Sequence, residues 1–446
     1  MKYLRNWIAS RKTDDKSTVL FLIKGYFLLS VLCFIAFLLP ICQNSENSIV
    51  NHLFFSVSAV STTGLAPADF VDSYNFLGQI ICLIFIQLGG IGYMALSSFI
   101  ILGRFDHLPT ISARLLRLEF GLPQRYPLVS FINSVFIFTV LIEVIGAILL
   151  YVGFSAEGVD YPLWSAIFHS ISAFCTAGFS LYGDSMTSYA NNGLITTTIL
   201  ILSLLGSIGF IVLLDFWLKL IKRRKSITLT SKMILLSTFL IWIMAALLIF
   251  CSDDKLWSLG FEGLMLAAFQ SISAHTTVGF NNYDIGQVSV SGVFIMIILM
   301  VVGASPAGTG GGIKTTSVAA LTAVLISVLK RRRHVTFFDK EIPASNIYLA
   351  ISSAIFYLLI LIVGTWALLI VDGKILPLEF LLFEAASALS TVGLSAGITG
   401  ELSDAGKIII SILMFIGRLG VLTFGFALIS KTPLLRHKPK VEEIAI

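Results

Sequence analysis

The chain has 446 residues, 57% of them hydrophobic and only 12% charged, with a net charge of +5 and a mean hydropathy of +0.93. Soluble domains carry about 25% charged residues, so this composition excludes a soluble globular protein and indicates a polytopic membrane protein. The five cysteines (Cys33, Cys42, Cys82, Cys175 and Cys251) lie far apart without CxxC or His/Cys spacing, which indicates neither a disulfide framework nor a zinc site.

Residues 1–16 are polar and basic. The first apolar run lacks a small-residue cleavage motif, so this segment reads as a cytoplasmic start rather than a signal peptide. Apolar runs long enough to cross a bilayer, about 20 residues, lie at 17–41, 76–103, 128–152, 193–218, 232–251, 292–329, 346–371 and 406–430. Between the two runs of each pair stands the same twelve-residue phrase. It reads FFSVSAVSTTGL at 54–65, FHSISAFCTAGF at 168–179, FQSISAHTTVGF at 269–280 and FEAASALSTVGL at 383–394. Its glycines, Gly64, Gly178, Gly279 and Gly393, are 114, 101 and 114 residues apart. This is an internal repeat. The expected architecture is an all-α membrane protein of four span, pore-helix, span units with pseudo-fourfold symmetry about a central pore. The units are predicted at 17–115, 127–225, 231–333 and 346–430, with a cytoplasmic tail at 431–446. Two spans per unit return the chain to its starting side, so the units are parallel repeats about an axis along the membrane normal.

The first half of the phrase is apolar and small, and the second half is Thr-x-Gly-Phe/Leu. Glycine takes backbone angles that allow successive carbonyls to point one way. A short helix ending in such a segment is the layout of a cation selectivity filter, where carbonyl oxygens replace the ion's hydration shell. The helix C-terminus adds the negative end of its dipole. The bland alternative is a helix-packing seam of small residues, and four copies in one register argue against it. The candidate cation-binding residues are therefore Thr62, Thr63, Gly64 and Leu65; Thr176, Ala177, Gly178 and Phe179; Thr277, Val278, Gly279 and Phe280; and Thr391, Val392, Gly393 and Leu394. Phe55, His169, Gln270 and Glu384 share the phrase's second column. His169 reads as a packing or hydrogen-bonding residue, Glu384 as a local partner or a cation attractor, and His275 as structural.

A second alignment follows each filter glycine: LGGIG at 88–92, LGSIG at 205–209, VGASP at 302–306 and IGRLG at 416–420. Its middle column holds Gly90, Ser207 and Ala304, and then Arg418. A mid-span charge faces water or a partner. Arg418 is expected to reach into the space the other units leave open, as a positive gate below the filter, with an ion pair to Glu143 as the alternative. The third unit's second run is broken by GASPAGTGGGIKTT at 303–316. Proline and glycines make a continuous helix there unfavourable, and irregular backbone at membrane depth must be buried or line a watery cavity. A mobile loop under the filter is expected, with Gly308, Gly310, Gly311, Gly312 and Lys314 in it and hydroxyls of Ser305, Thr309, Thr315 and Thr316 as polar contacts. It is not a P-loop, because Ile313 separates Gly312 from Lys314 and no strand precedes it.

Orientation follows from Lys and Arg. With the N-terminus inside, the outer segments hold 3 of the 30 basic residues (Lys255, Lys374 and Lys407) and 15 of the 25 acidic ones. The runs KRRK at 222–225 and KRRR at 330–333 then lie inside, as topology anchors able to meet acidic partners or anionic lipid. The net negative outer face raises the local cation concentration. Both termini are placed in the cytoplasm of a cell (plasma) membrane protein.

The four Thr-x-Gly-Phe/Leu segments, the glycine-rich break at 303–316 and the arginine of IGRLGVLTF at 416–424 together resemble the Trk/Ktr/HKT superfamily of potassium transporters. The likeness runs from about 17 to 430 and is greatest to KtrB-type membrane subunits of Ktr uptake systems. The short start, without an extra pair of spans, and FEAASALSTVGLSAGITGELSDAGK at 383–407 carry that narrower resemblance. It implies a homodimer with one pore per subunit, a cytosolic KtrA-like regulatory ring, nucleotide on that ring only, sodium as activator and a symport-type uptake function. It also implies the gate role of loop 303–316 and Arg418, and a preference for potassium where Gly64 is glycine rather than serine. No cofactor in this chain, no enzymatic activity and no nucleic-acid partner are expected. Two other classes fit the sequence less well. A secondary transporter of another solute calls for inverted repeats and a mid-membrane solute site, and a membrane enzyme calls for a recurring His/Asp/Glu constellation, which the sequence does not contain.

Overall fold

The computed structural model describes residues 14–104, 110–122, 127–338 and 340–428. The predicted tail at 431–446, and most of the predicted N-terminal segment 1–16, lie outside the described residues.

Four long helices, α1 (Asp14–Leu38) and three others defined below, are the first spans of the units, each set by a mostly apolar run with few charges. In unit 1, α2 (Ile49–Ser61) is the short pore helix, and α3 (Phe76–Ile91) and α4 (Tyr93–Arg104) form the second span. A further helix, α5 (Thr110–Glu119), was not expected from the sequence. Unit 2 consists of α6 (Leu128–Ala156), α7 (Pro162–Phe174), α8 (Gly193–Ser207) and α9 (Phe210–Leu220). Unit 3 consists of α10 (Leu229–Ser252), α11 (Phe261–Thr276), α12 (Val290–Val301) and α13 (Thr315–Leu329), followed by an antiparallel hairpin of β1 (Thr336–Phe337) and β2 (Lys340–Glu341). Unit 4 consists of α14 (Ala344–Asp372), α15 (Leu378–Leu389), α16 (Asp404–Leu419) and α17 (Val421–Leu428).

Helices α1, α6, α10 and α14 are each long enough for a ~30 Å hydrocarbon layer at ~1.5 Å per residue. Only 22–28% of their most apolar stretches is buried, so their outer faces present side chains such as Ile137, Val140 and Ile362 with nothing from the protein over them. Lipid is the solvent that tolerates such a surface. The pore helices have 12–16 residues, too few to cross, and their last two turns are buried except for the half-buried Ile171 and Ile272. Each second span begins on a capped turn. Asn75 Oδ1 accepts from Leu77 and Gly78 N–H, Asn192 Oδ1 from Leu194 and Ile195 N–H, Ser289 Oγ from Gly292 N–H, and Ser403 Oγ from Gly406 N–H. These caps satisfy donors that would otherwise be stranded near the membrane surface.

The runs 76–103, 193–218 and 406–430, read as continuous, are each two helices, bent by 82°, 93° and 98°. The breaks fall at Gly92, Gly209 and Gly420, with φ of +86°, +88° and +80°. These are the last glycines of LGGIG, LGSIG and IGRLG, and a left-handed residue ends an α-helix. Unit 3 has Pro306 in that column and uses the loop 302–314 instead.

The units pack in a ring. The second span of each touches the pore helix of the next: α3 against α7, α8 against α11, α12 against α15, and α16 back against α2. That closure places the four phrase C-termini around one axis.

Candidate functional site at the ends of the pore helices

Each pore helix ends the same way. Thr62, Thr176, Thr277 and Thr391 take left-handed backbone angles, with φ of 53°, 51°, 58° and 52°. The next residue's N–H then turns back to the helix: Thr63 to the Ser58 carbonyl (2.9 Å), Ala177 to Ser172 (2.8 Å), Val278 to Ser273 (3.2 Å) and Val392 to Ser387 (2.8 Å). This is the Schellman-type closure of a helix C-terminus, here made by a β-branched residue in a region that β-branched residues rarely visit. Strain of that kind persists only where the surroundings enforce it.

The enforcement comes from the phrase's own serine. Ser58, Ser172 and Ser273 donate their hydroxyls to the carbonyls of Leu65 (2.8 Å), Phe179 (2.8 Å) and Phe280 (2.5 Å). Gly64 and Gly393 N–H donate to Ser58 and Ser387 Oγ, both at 3.1 Å. On sequence alone these serines carry no role of their own. Their identity in all four copies, six residues before each glycine, was the signal that they brace the segment.

The glycines close the ring. A Cβ on Gly64 would overlap the carbonyl oxygen of Ala177; on Gly178, that of Val278; on Gly279, that of Val392; and on Gly393, that of Thr63. In each case the oxygen belongs to the residue before the glycine of the next unit. The four extended segments thus meet backbone to backbone, in the order 1-2-3-4-1, with all four glycines at positive φ.

Below this ring the threonines meet Arg418 and the 303–316 loop. Arg418 Nη1 donates to Thr62 Oγ1 (3.0 Å) and to the Thr309 carbonyl (2.5 Å). Its Nη2 donates to the carbonyls of Gly89 and Gly90. The Thr176 hydroxyl meets the Thr309 hydroxyl at 3.0 Å, and Gly311 N–H donates to Thr277 Oγ1 at 3.2 Å. Thr391 Oγ1, buried and without a partner among the described residues, lies where a Cβ on Gly311 would fall. Three threonines therefore face the loop and the fourth faces the arginine, with Arg418 also holding the loop. The ion pair with Glu143 does not form: Glu143 accepts from Gln87 Nε2 at 3.0 and 3.1 Å.

The loop is docked. Ser305 N–H donates to the Ser207 carbonyl (3.0 Å), Thr309 N–H to Gly206 (3.1 Å), and Phe210 N–H to Ala307 (2.9 Å). Lys314 Nζ donates to the Gly310 carbonyl at 2.7 Å, and Ser305 Oγ lies 2.7 Å from Thr315 Oγ1. Gly308 packs on the Ser207 carbonyl so closely that a Cβ would not fit, and Gly303 and Gly312 pack on each other.

The second-column residues fasten the chain beyond the ring. His169 Nε2 accepts from Leu181 N–H (3.3 Å), Gln270 Nε2 donates to the Tyr283 carbonyl (3.2 Å), and Glu384 accepts from the hydroxyls of Ser395 and Thr399. Glu384 is fully buried in that pairing. His275 accepts from Trp242 Nε1 at 3.1 Å, a structural contact. Among the described residues no group of three His, Cys, Asp or Glu side chains is placed to hold a metal ion.

The comparisons agree with this architecture. A family model described as "Cation transport protein", TrkH, matches residues 38–433. The chain is 31% identical over 407 residues to the Ktr system potassium uptake protein B of Vibrio alginolyticus, covering 90% of this chain and 89% of that one. It is 30% identical over 441 residues to the potassium/sodium uptake protein NtpJ of Enterococcus hirae, covering 96% and 97%. In fold it is similar to the crystal structure of the potassium transporter TrkH from Vibrio parahaemolyticus, with a TM-score of 0.72 at 20% identity, covering 94% of this chain and 86% of that one.

Proposed function

The chain belongs to the TrkH family of cation transport proteins, and from that premise we propose that it is the pore-forming, potassium-translocating subunit of a Ktr-type uptake system. The observation that carries the reading is the closed ring in which each glycine of Thr-x-Gly rests on the backbone carbonyl of the next unit. Segments 62–65, 176–179, 277–280 and 391–394 are its selectivity filter. A ring of fixed carbonyls and threonine hydroxyls replaces the hydration shell of a dehydrated cation, and glycine in all four copies favours potassium over sodium. Arg418 and the 303–316 loop are the gate, since the conformation described here stoppers the ring from one side.

The ion enters from the acidic outer face. It loses water against the filter oxygens and passes the threonine hydroxyls only when the loop withdraws and Arg418 releases Thr62. The basic loops lie in the cytoplasm with both termini. The relatives' names place them in a Ktr system, which supports a separate partner subunit; a cytosolic ring that carries the nucleotide and moves the gate, a homodimeric membrane part and sodium as an activator belong to the same proposal.

The test is rubidium and sodium uptake in a potassium-transport-deficient strain expressing this chain with and without a cytosolic regulator. Growth rescue and rubidium uptake that rise with the regulator are expected. A chain present in the membrane that carries sodium and excludes rubidium overturns the potassium assignment.

A further inference from the structure

Between units 2 and 3 an apolar crevice of about 530 Å³ opens on the outer surface of the helix ring. Leu204 and Ile208 of the α8 end form one wall, and Thr238 and Trp242 of α10 form the other. Lys232 and Phe338 stand at one end, with the Lys232 ammonium 6.0 Å from the Phe338 ring centroid. The Thr238 hydroxyl is buried without a partner among the described residues.

An apolar hollow facing lipid is filled by acyl chain, because neither water nor a void satisfies such walls. Charge at the mouth selects the headgroup. The run 222–225 leads into the wall residue Ile227, and the run 330–333 leads into the hairpin that presents Phe338. Among the described residues, two nearby acidic groups are already engaged: Asp215 takes Arg224 at 2.5 Å, and Glu341 takes His334 at 3.0 Å. Lys222, Arg223, Lys225 and Lys232 are exposed. Basic pockets between spans at the cytoplasmic side suit phosphate-bearing headgroups.

We propose that this crevice binds one acyl chain of an anionic phospholipid, with its phosphate at Lys232, and that occupancy steadies the docked gate loop. The second clause rests on the gating reading given above. Its structural basis is that Leu204 and Ile208 lie on the last turn before Gly209. The carbonyls of Gly206 and Ser207 and the N–H of Phe210, all in this same stretch, hold Thr309, Ser305 and Ala307 of the loop. On the opposite wall, Trp242 holds His275 of the pore helix.

The experiment uses the purified full-length chain, titrated with phosphatidylcholine or phosphatidylglycerol and followed by native mass spectrometry and thermal melting. A retained phosphatidylglycerol adduct and a melting shift specific to that lipid are expected. Lys232→Ala should weaken binding by about fivefold, Lys232→Glu by more, and Lys255→Glu on the other side not at all. Leu236→Trp, on the exposed wall, should abolish the adduct by filling the crevice and should make rubidium flux in liposomes independent of phosphatidylglycerol. Equal shifts with both lipids, or an unchanged shift in both Lys232 variants, overturn the site. A disulfide between two copies through Phe239→Cys assigns the crevice to a second subunit and also overturns it. Specific binding with flux indifferent to lipid overturns the coupling to the gate. Absence of rubidium flux in every lipid counts against the transport reading and leaves the binding result standing.

Discussion

Gly64, Gly178, Gly279 and Gly393 meet two demands at once: a positive φ and a neighbouring carbonyl where a Cβ would lie. Serine satisfies neither, so any one substitution must push two units apart. The backbone strain is on the order of 1–3 kcal/mol, and it falls directly on the spacing of the oxygens that, on the proposed reading, replace hydration water. Gly64→Ser, Gly178→Ser and Gly279→Ser should each lower the rubidium-to-sodium uptake ratio while the protein still reaches the membrane. A ratio unchanged in all three removes the filter assignment. The serines that brace these segments act on the same geometry. Each hydrogen bond to a filter carbonyl contributes about 1 kcal/mol, and more to the point, it fixes which way that carbonyl can turn.

At the scale of elements, the four spans, the four pore helices and the ring symmetry were legible, because twelve near-identical residues recur between apolar runs at almost even spacing. The elbows were not. Gly92, Gly209 and Gly420 sit in hydrophobic sequence that reads equally well as one straight helix, and single glycines are common in membrane helices. Only their positive φ, a tertiary outcome, shows that they end a helix. The helix α5 was missed because its ten residues carry two arginines and a glutamate and contain no run long enough to signal a span. Arg418 stands out for breaking the four-fold pattern, yet three of its four acceptors, the carbonyls of Gly89, Gly90 and Thr309, are backbone oxygens that a sequence does not display, and only Thr62 Oγ1 is a side chain. The Gly209 elbow gives a prediction at this scale. A Cβ there would strike the Pro306 carbonyl of the docked loop, at a φ of +88°. Gly209→Ala should therefore lower the melting temperature and loosen the loop, raising flux in the absence of a regulator. Gly193→Ala, at an open position with ordinary φ, is the control and should leave both unchanged. Equal behaviour of the two variants rules out the elbow as the loop's anchor.

Over the whole molecule, four parallel units build a ring that is symmetric above and asymmetric below. The upper part is one motif used four times. The lower part takes its loop from unit 3, its arginine from unit 4, and its acceptors from units 1 and 2. A symmetric filter suits a spherical ion, whereas a gate needs only one arm that can move. Arg418 connects the two parts: it binds Thr62 of the ring, the loop at Thr309, and the Gly89–Gly90 backbone of unit 1. On the proposed gating role, a cation passing about 6 Å from this fixed positive charge would be opposed by roughly 3 kcal/mol at an effective dielectric near 20. Water in the cavity screens this, so it is an upper bound. Arg418→Ala should remove both the charge and the tether and raise maximal flux, by up to roughly a hundredfold if the whole barrier is lost, with the rubidium-to-sodium ratio retained because the serine braces and glycine contacts remain. Arg418→Lys keeps the charge but cannot reach four acceptors with one ammonium, so it should fall between the two. Flux per inserted molecule decides the matter. Well-inserted Arg418→Ala with unchanged or reduced flux assigns the arginine to holding unit 1 and unit 4 together rather than to gating. Because Glu143 is bonded to Gln87 and not to Arg418, adding Glu143→Gln should not rescue any defect of the arginine variant.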